Sequence, residues 1–168
     1  MPHYCFRCGT MLQQVELDGR EREQCPICGW VYYAQLKIGA AGRIVRDGQL
    51  LLVQRAIAPW KGCWYLPAGY VEVDESPDQA AERETYEETG LRVHSTGLAG
   101  LYFFDDDPRG NGLLVVYDCE VTGGEICSTP EAMRIGYFRA DHLPEPLAGA
   151  AHERAIHDWV AGRQVVGG

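Results

Sequence analysis

Residues 69–91 read GYVEVDESPDQAAERETYEETGL, a stretch with eight carboxylates and a single arginine, Arg83. Ser76-Pro77-Asp78-Gln79 is a helix start: Ser at the cap, Pro at the first helical position, Gln three residues past the cap. Gly90 supplies the stop. The helix so bounded carries Glu84, Glu87 and Glu88, three and four residues apart. At about 100° per residue they span an arc of about 100°, so their carboxylates can converge on one point. Two such charges about 4 Å apart in a shielded site repel by up to roughly 4 kcal/mol at an effective dielectric of ~20. A hard divalent cation such as Mg2+, which takes oxygen ligands, offsets that repulsion. The stretch reads as a magnesium site, against the plainer reading of a solvated acidic helix face.

The rest of the chain sets the frame. Its 168 residues leave room for one sizeable core and a small appendage. A composition 46% hydrophobic and 10% aromatic is that of a soluble globular protein. The formal net charge of −9 gives no electrostatic footprint for nucleic acid. The start, MPHYCFRCGT, lacks the basic and apolar regions of a signal peptide, and no run approaches the ~18 apolar residues of a membrane span. A cytoplasmic protein is expected.

Four of the seven cysteines form two pairs, Cys5-x2-Cys8-Gly and Cys25-x2-Cys28-Gly, with 16 residues between them. Each pair lets two thiolates chelate from one tight turn, and four thiolates complete a tetrahedral zinc site. Between the pairs, MLQQVELDGREREQ reads as strand, Asp18-Gly19 turn, strand. Residues 1–36 are therefore expected to be a zinc ribbon. Residues 1–37 hold four basic and four acidic side chains, which favours a structural or interface role over phosphate binding. Cys63, Cys119 and Cys127 follow no pattern and read as free thiols.

The second part opens with KIGAAGRIVRDGQLLLVQRA, two apolar runs about an Asp47-Gly48 hairpin turn. After the acidic helix, LRVHSTGLAGLYFF, GLLVVYDCEV and RIGYFRA look like strands. Leu147, Ala151, Ala155, Ile156, Trp159 and Val160 recur at helical spacing, and the tail RQVVGG is expected to fray. The pattern is that of mixed α/β layers.

Gly69, Glu75 and Arg83-Glu84-Thr85-Tyr86-Glu87-Glu88-Thr89-Gly90-Leu91 together resemble the Nudix box, G-x5-E-x7-R-E-U-x-E-E-x-G-U. Every charged and glycine position agrees. Thr85 departs, standing where an aliphatic residue is usual; its hydroxyl is expected to bond the carbonyl of Ala81. Arg55 and Trp64-Tyr65-Leu66-Pro67-Ala68-Gly69 extend the likeness. The resemblance implies a Nudix α/β/α sandwich with a mixed sheet over residues 37–168. It also implies hydrolysis of a nucleoside diphosphate linked to another moiety, with catalytic Mg2+ (or Mn2+) beside structural Zn2+. Glu84 and Glu88 would be metal ligands together with the main-chain carbonyl of Ala68, and Glu87 a ligand or a proton acceptor. Arg83 and Glu75 would orient the glutamates. The general base varies within the family; Glu131 is the candidate, with Glu120 and Glu125 as alternatives. Arg55 is the candidate phosphate contact. Tyr102, Phe103 and Phe104 read equally as nucleobase pocket or as core, Trp64 and Tyr65 as core, and the histidines are assigned nothing.

A ribbon ahead of a Nudix box is reminiscent of NADH diphosphatases, but HSTGLAGLYFFDDDPRG lacks their S-Q-P-W-P-F-P-x-S signature. The chain looks closer to short ribbon-bearing enzymes similar to FAD and ADP-ribose pyrophosphatases, and Pro108 is a weak pointer to ADP-ribose. Release of AMP from ADP-ribose or FAD is the leading expectation. NADH diphosphatase and a Nudix-fold binding or regulatory module are the alternatives. The partner is a small nucleotide, with a homodimer possible, no membrane, and nucleic acid disfavoured by charge.

Overall fold

Asp18-Gly19 and Asp47-Gly48 each turn the chain with two successive positive φ angles, 52° and 71° in the first and 51° and 71° in the second. That is the hairpin geometry whose twist matches the flanking strands. Each turn sits in its own compact unit, Met1–Gln35 and Leu36–Gly168. The computed structural model describes residues 3–127 and 129–162, so the tail RQVVGG lies outside the described residues.

In the first unit, β1 (Gln13–Leu17) and β2 (Arg20–Gln24) pair antiparallel across the Asp18-Gly19 turn. A third strand that the sequence pattern does not announce, β3 (Val31–Tyr32), adds to β2. Cys5, Leu12 and Cys25 form a small buried cluster against Trp30 and Tyr32.

The second unit is built on β4 (Lys37–Arg46). Its end turns at Asp47-Gly48 into β5 (Gln49–Arg55), with Arg46 opposite Gln49. Two short strands follow, β6 (Trp64–Tyr65) on β5 and β7 (Ala68–Tyr70) on β4. Beyond α1 (Pro77–Thr89) come β8 (Leu91–Phe104), β9 (Gly112–Gly124), β10 (Ala132–Arg139) and α2 (Ala150–Val160). The sheet runs β10-β5-β4-β9-β8. β9 lies parallel to β4 from Lys37↔Gly112 to Ile44↔Cys119, while β8 and β10 pair antiparallel, so the sheet is mixed as expected.

Successive residues of a strand face opposite sides of its sheet. Ala40 packs against Ala80 and Ala81 of α1. Its neighbour Ala41 belongs to the cluster of Ala151, Ala155 and Ile156 on α2. One helix thus covers each face, which completes the α/β/α sandwich. Leu147 packs on this core from the residues before α2, and Val160, at the last turn, is exposed.

The start of α1 follows the sequence: Ser76 N and Oγ each donate to Gln79 Oε1 at 3.0 Å. Gly90 stops the helix at φ 77°, donating to the Tyr86 carbonyl at 2.8 Å. Thr85 behaves differently from expectation. Its side chain is pressed against Gly42, where a Cβ would fall 2.5 Å from the Thr85 Oγ1. Held there, Oγ1 has no hydrogen-bond partner and does not reach Ala81. The Thr89 hydroxyl instead donates to the Thr85 carbonyl at 2.5 Å.

Candidate active site

The glycine that opens the acidic stretch is dictated by one contact. A Cβ on Gly69 would lie 2.1 Å from the Glu84 carboxyl, so any side chain here would push that carboxyl out of its place beside Arg83. Arg83 organises the neighbouring carboxylates. Its Nε and Nη2 donate to Glu75 Oε2 and Oε1 at 2.9 and 2.6 Å, and Nη2 also donates to the Tyr70 carbonyl at 3.1 Å. Its Nη1 donates to Glu84 at 2.7 Å and to Glu87 at 3.2 Å. The Arg83 hydrogen bonds, helped by the Glu72 N–H, hold the Glu75 carboxyl at about 2. Burial pushes Glu84 upward, against the pull of Arg83.

Glu88 is fully enclosed. It accepts from the Tyr65 hydroxyl and from the Ala68 N–H at 2.9 Å. Burial raises its carboxyl to about 8 in spite of those two donors. The carboxylates do not meet at a single point, because Arg83 holds Glu84 and Glu87 while Tyr65 and Ala68 hold Glu88.

Arg83 borders a cleft of about 440 Å³ together with Tyr65 and Tyr70. Glu84, Glu87 and Glu131 line it with Arg55, Ala68 and Gly69, whereas Glu88 lies beneath the wall that Tyr65 and Ala68 form. Glu131 comes close enough to add to the upward push on Glu84. Glu120 and Glu125 are exposed and take no part in the cleft lining. Arg55 donates from Nε to the Pro59 carbonyl at 2.9 Å and lies over the Tyr65 ring, 5.4 Å from its centroid. Of the three aromatic residues that end β8 only Phe104 faces the cleft; Tyr102 bonds Asp158 and Phe103 is exposed. Trp64 is core, edge-on to Phe138 at 4.8 Å, and Tyr65 is buried yet borders the cleft.

Trp60, Tyr70, Asp106, Arg109 and His152 also line this cleft, and none of them stands out in the sequence. Trp60 comes from the loop after β5, Tyr70 from the end of β7, Asp106 and Arg109 from the connection between β8 and β9, and His152 from the first turn of α2, so only the tertiary fold assembles them.

The first unit holds a second cluster. The sulfurs of Cys5, Cys8, Cys25 and Cys28 all lie within 4.8 Å of one another. Among the described residues this is the only set of possible ligand atoms that converges so closely. The Cys5–Cys28 and Cys8–Cys25 sulfurs are 3.5 Å apart, and Cys8–Cys28 3.8 Å. A tetrahedron with Zn–S distances of ~2.3 Å has edges of about 3.8 Å, whereas a disulfide needs ~2.05 Å. The thiols fit a tetrahedral metal.

Comparison with known proteins agrees with the geometry. The family model of the NUDIX domain matches residues 35–160. A Methanocaldococcus jannaschii protein named ADP-ribose pyrophosphatase is 36% identical over 129 residues, 76% of this chain and 75% of its own length. A Chromobacterium violaceum protein named NAD-capped RNA hydrolase NudC is 34% identical over 84% of this chain, which spans about half (51%) of that longer protein. Among solved structures, a NUDIX hydrolase from Nitrosomonas europaea superposes with a TM-score of 0.82 at 26% identity, over 95% of this chain and 91% of its own. Box, sandwich, cleft and relatives agree, and the chain belongs to the Nudix hydrolase family.

Proposed function

We propose that this enzyme is a divalent-metal-dependent diphosphatase that cleaves ADP-ribose or FAD and releases AMP. The observation that carries the reading is the cleft in which Glu84, Glu87 and Glu131 face Arg55 above the enclosed Glu88. Its volume of about 440 Å³ lies within the range of small-molecule sites, roughly 300–1,000 Å³.

The donor set fits a hard cation. A carboxylate offers about four lone-pair sites, so Glu88 keeps acceptor capacity beyond its bonds to Tyr65 and Ala68. Glu84, Glu88 and the Ala68 carbonyl would hold Mg2+ or Mn2+, with Glu87 as a further ligand or as proton acceptor. Such a cation supplies charge neutralisation for the diphosphate and acidifies a water for in-line attack on phosphorus. The protein's own groups do the rest. Arg83 fixes the orientation of Glu84 and Glu87, Arg55 offers its guanidinium to a phosphate oxygen, and Glu131 accepts the proton of the attacking water. Cys5, Cys8, Cys25 and Cys28 would bind Zn2+ and stabilise residues 1–36 as a ribbon ahead of a Nudix domain over 37–168.

NADH or an NAD-type cap is the second reading, favoured by the relatives named NudC. The test is chromatographic product analysis with Mg2+ on ADP-ribose, FAD, NADH, CoA and 8-oxo-dGTP. AMP chiefly from ADP-ribose or FAD supports the leading reading, and AMP chiefly from NADH replaces it with the second. No product from any of the five would move the assignment to a binding module.

A further inference from the structure

The cleft wall away from the carboxylates has a chemistry of its own. Trp60 is an exposed aromatic residue held at φ +65°, a backbone region that bulky side chains rarely occupy. Its indole Nε1 and the Asp106 Oδ2 lie 3.6 and 3.7 Å from the place a Cβ would take on Gly149. Glycine at that point keeps the space between the indole and the carboxylate open. Asp106 is fixed through one oxygen, Oδ2, which accepts from the Ala150 N–H at 2.7 Å at the start of α2. Its other oxygen remains an acceptor.

His152 stands one helical turn beyond Gly149, edge-on to Tyr65 with centroids 5.4 Å apart. Its Nδ1 is buried without a partner, which leaves Nε2 as the nitrogen able to meet a ligand. Burial pushes the imidazole down to about 4, so at neutral pH the ring carries one proton. A stranded lone pair at Nδ1 costs less than a stranded N–H, and the proton therefore belongs on Nε2. The wall thus brings together an indole, an anionic acceptor and a neutral donor.

We infer that this wall is a recognition subsite for a flat heteroaromatic ring that carries an NH2 donor beside an acceptor. Trp60 stacks on the ring, Asp106 accepts from the NH2 group, and His152 Nε2 donates to the neighbouring acceptor. Adenine offers this pattern, and so does the carboxamide of nicotinamide. Their deaminated counterparts, hypoxanthine and nicotinic acid, set an oxygen against the Asp106 carboxylate and are rejected. The inference deepens the dinucleotide reading and rests on it, since it assigns one end of that substrate.

The test is a binding measurement, independent of turnover. Isothermal titration would compare AMP with IMP, and nicotinamide mononucleotide with nicotinic acid mononucleotide, on the wild type and Asp106→Asn. Asn is also a good helix cap and keeps the bond to Ala150, but its amide can donate to a carbonyl oxygen. The expected result is an amino form bound roughly tenfold tighter than its deaminated partner, the worth of one charge-assisted hydrogen bond at a partly exposed site. In Asp106→Asn that gap should fall below about threefold. The AMP pair showing the gap places adenine in the subsite; the nicotinamide pair showing it places the carboxamide there. Equal affinities within both pairs, or a gap untouched by Asp106→Asn, would overturn the inference. Discrimination without turnover of any dinucleotide would sink the hydrolase reading alone.

Discussion

Glu88 should make the folded protein less stable as pH rises, and removing its charge should reverse that. Its carboxyl goes from an ordinary value of 4.5 to about 8 on folding, chiefly because burial disfavours the charged form. The folded state therefore binds the proton more tightly than the unfolded state. Stability from this group is complete below about pH 4.5 and is lost as pH climbs through about 8. At ~1.36 kcal/mol per pKa unit, the loss is about 1 kcal/mol at pH 5 and about 4 kcal/mol at pH 8. The difference of roughly 3 kcal/mol corresponds to a fall in Tm on the order of 10 °C for a domain of this size. Glu88→Gln keeps an acceptor for the Ala68 N–H and a partner for Tyr65 while removing the charge. Thermal melts of both proteins at pH 5 and pH 8, in magnesium-free buffer with no chelator added, would test this. The variant should melt above the wild type at pH 8, close to it at pH 5, and have almost no turnover. Parallel pH profiles for the two proteins would refute the argument, because the buried charge would then cost nothing.

Gly69→Ala should cost at least about a hundredfold in kcat, since its Cβ displaces the Glu84 carboxyl from 2.1 Å away; steady-state kinetics against a melting curve would separate that loss from unfolding. Thr85→Val should stabilise the protein by about 1–2 kcal/mol in urea unfolding, because it removes a buried hydroxyl that has no partner. Arg83→Lys cannot reproduce the two-pronged grip on Glu75 and should lower kcat by roughly 10- to 100-fold with the fold intact by circular dichroism. Elemental analysis should find about one zinc per chain, lost in Cys25→Ser/Cys28→Ser; zinc-free protein from a fresh preparation would overturn the ribbon assignment.

The sequence is legible where local chemistry decides. The Ser76 start and Gly90 stop bound α1 correctly, and LRVHSTGLAGLYFF coincides with β8. Both Asp-Gly turns hold because few other residue pairs accept two positive φ angles in a row. The two-residue strand β6 and the three-residue β7 escape notice, since runs that short show no periodicity. Helical spacing put Glu88 beside Glu84, but its enclosure depends on Tyr65, 23 residues earlier in the chain. Thr85 departs from its local rule, a hydroxyl returning to the preceding turn, because that rule yields to packing against Gly42 on a distant strand. The wall of Trp60, Asp106 and His152 has no signal in one dimension.

The pair Ala40 and Ala41 separates two kinds of inheritance. Ala40 seats the helix that bears the glutamates, and Ala41 seats the helix that begins at Gly149 and His152. Substitutions that repack α1 on Ala40 therefore reach Glu84 and Glu87 directly, whereas substitutions that repack α2 on Ala41 reach the wall of Gly149 and His152 and, through the contact of His152 with Tyr65, only the enclosed Glu88.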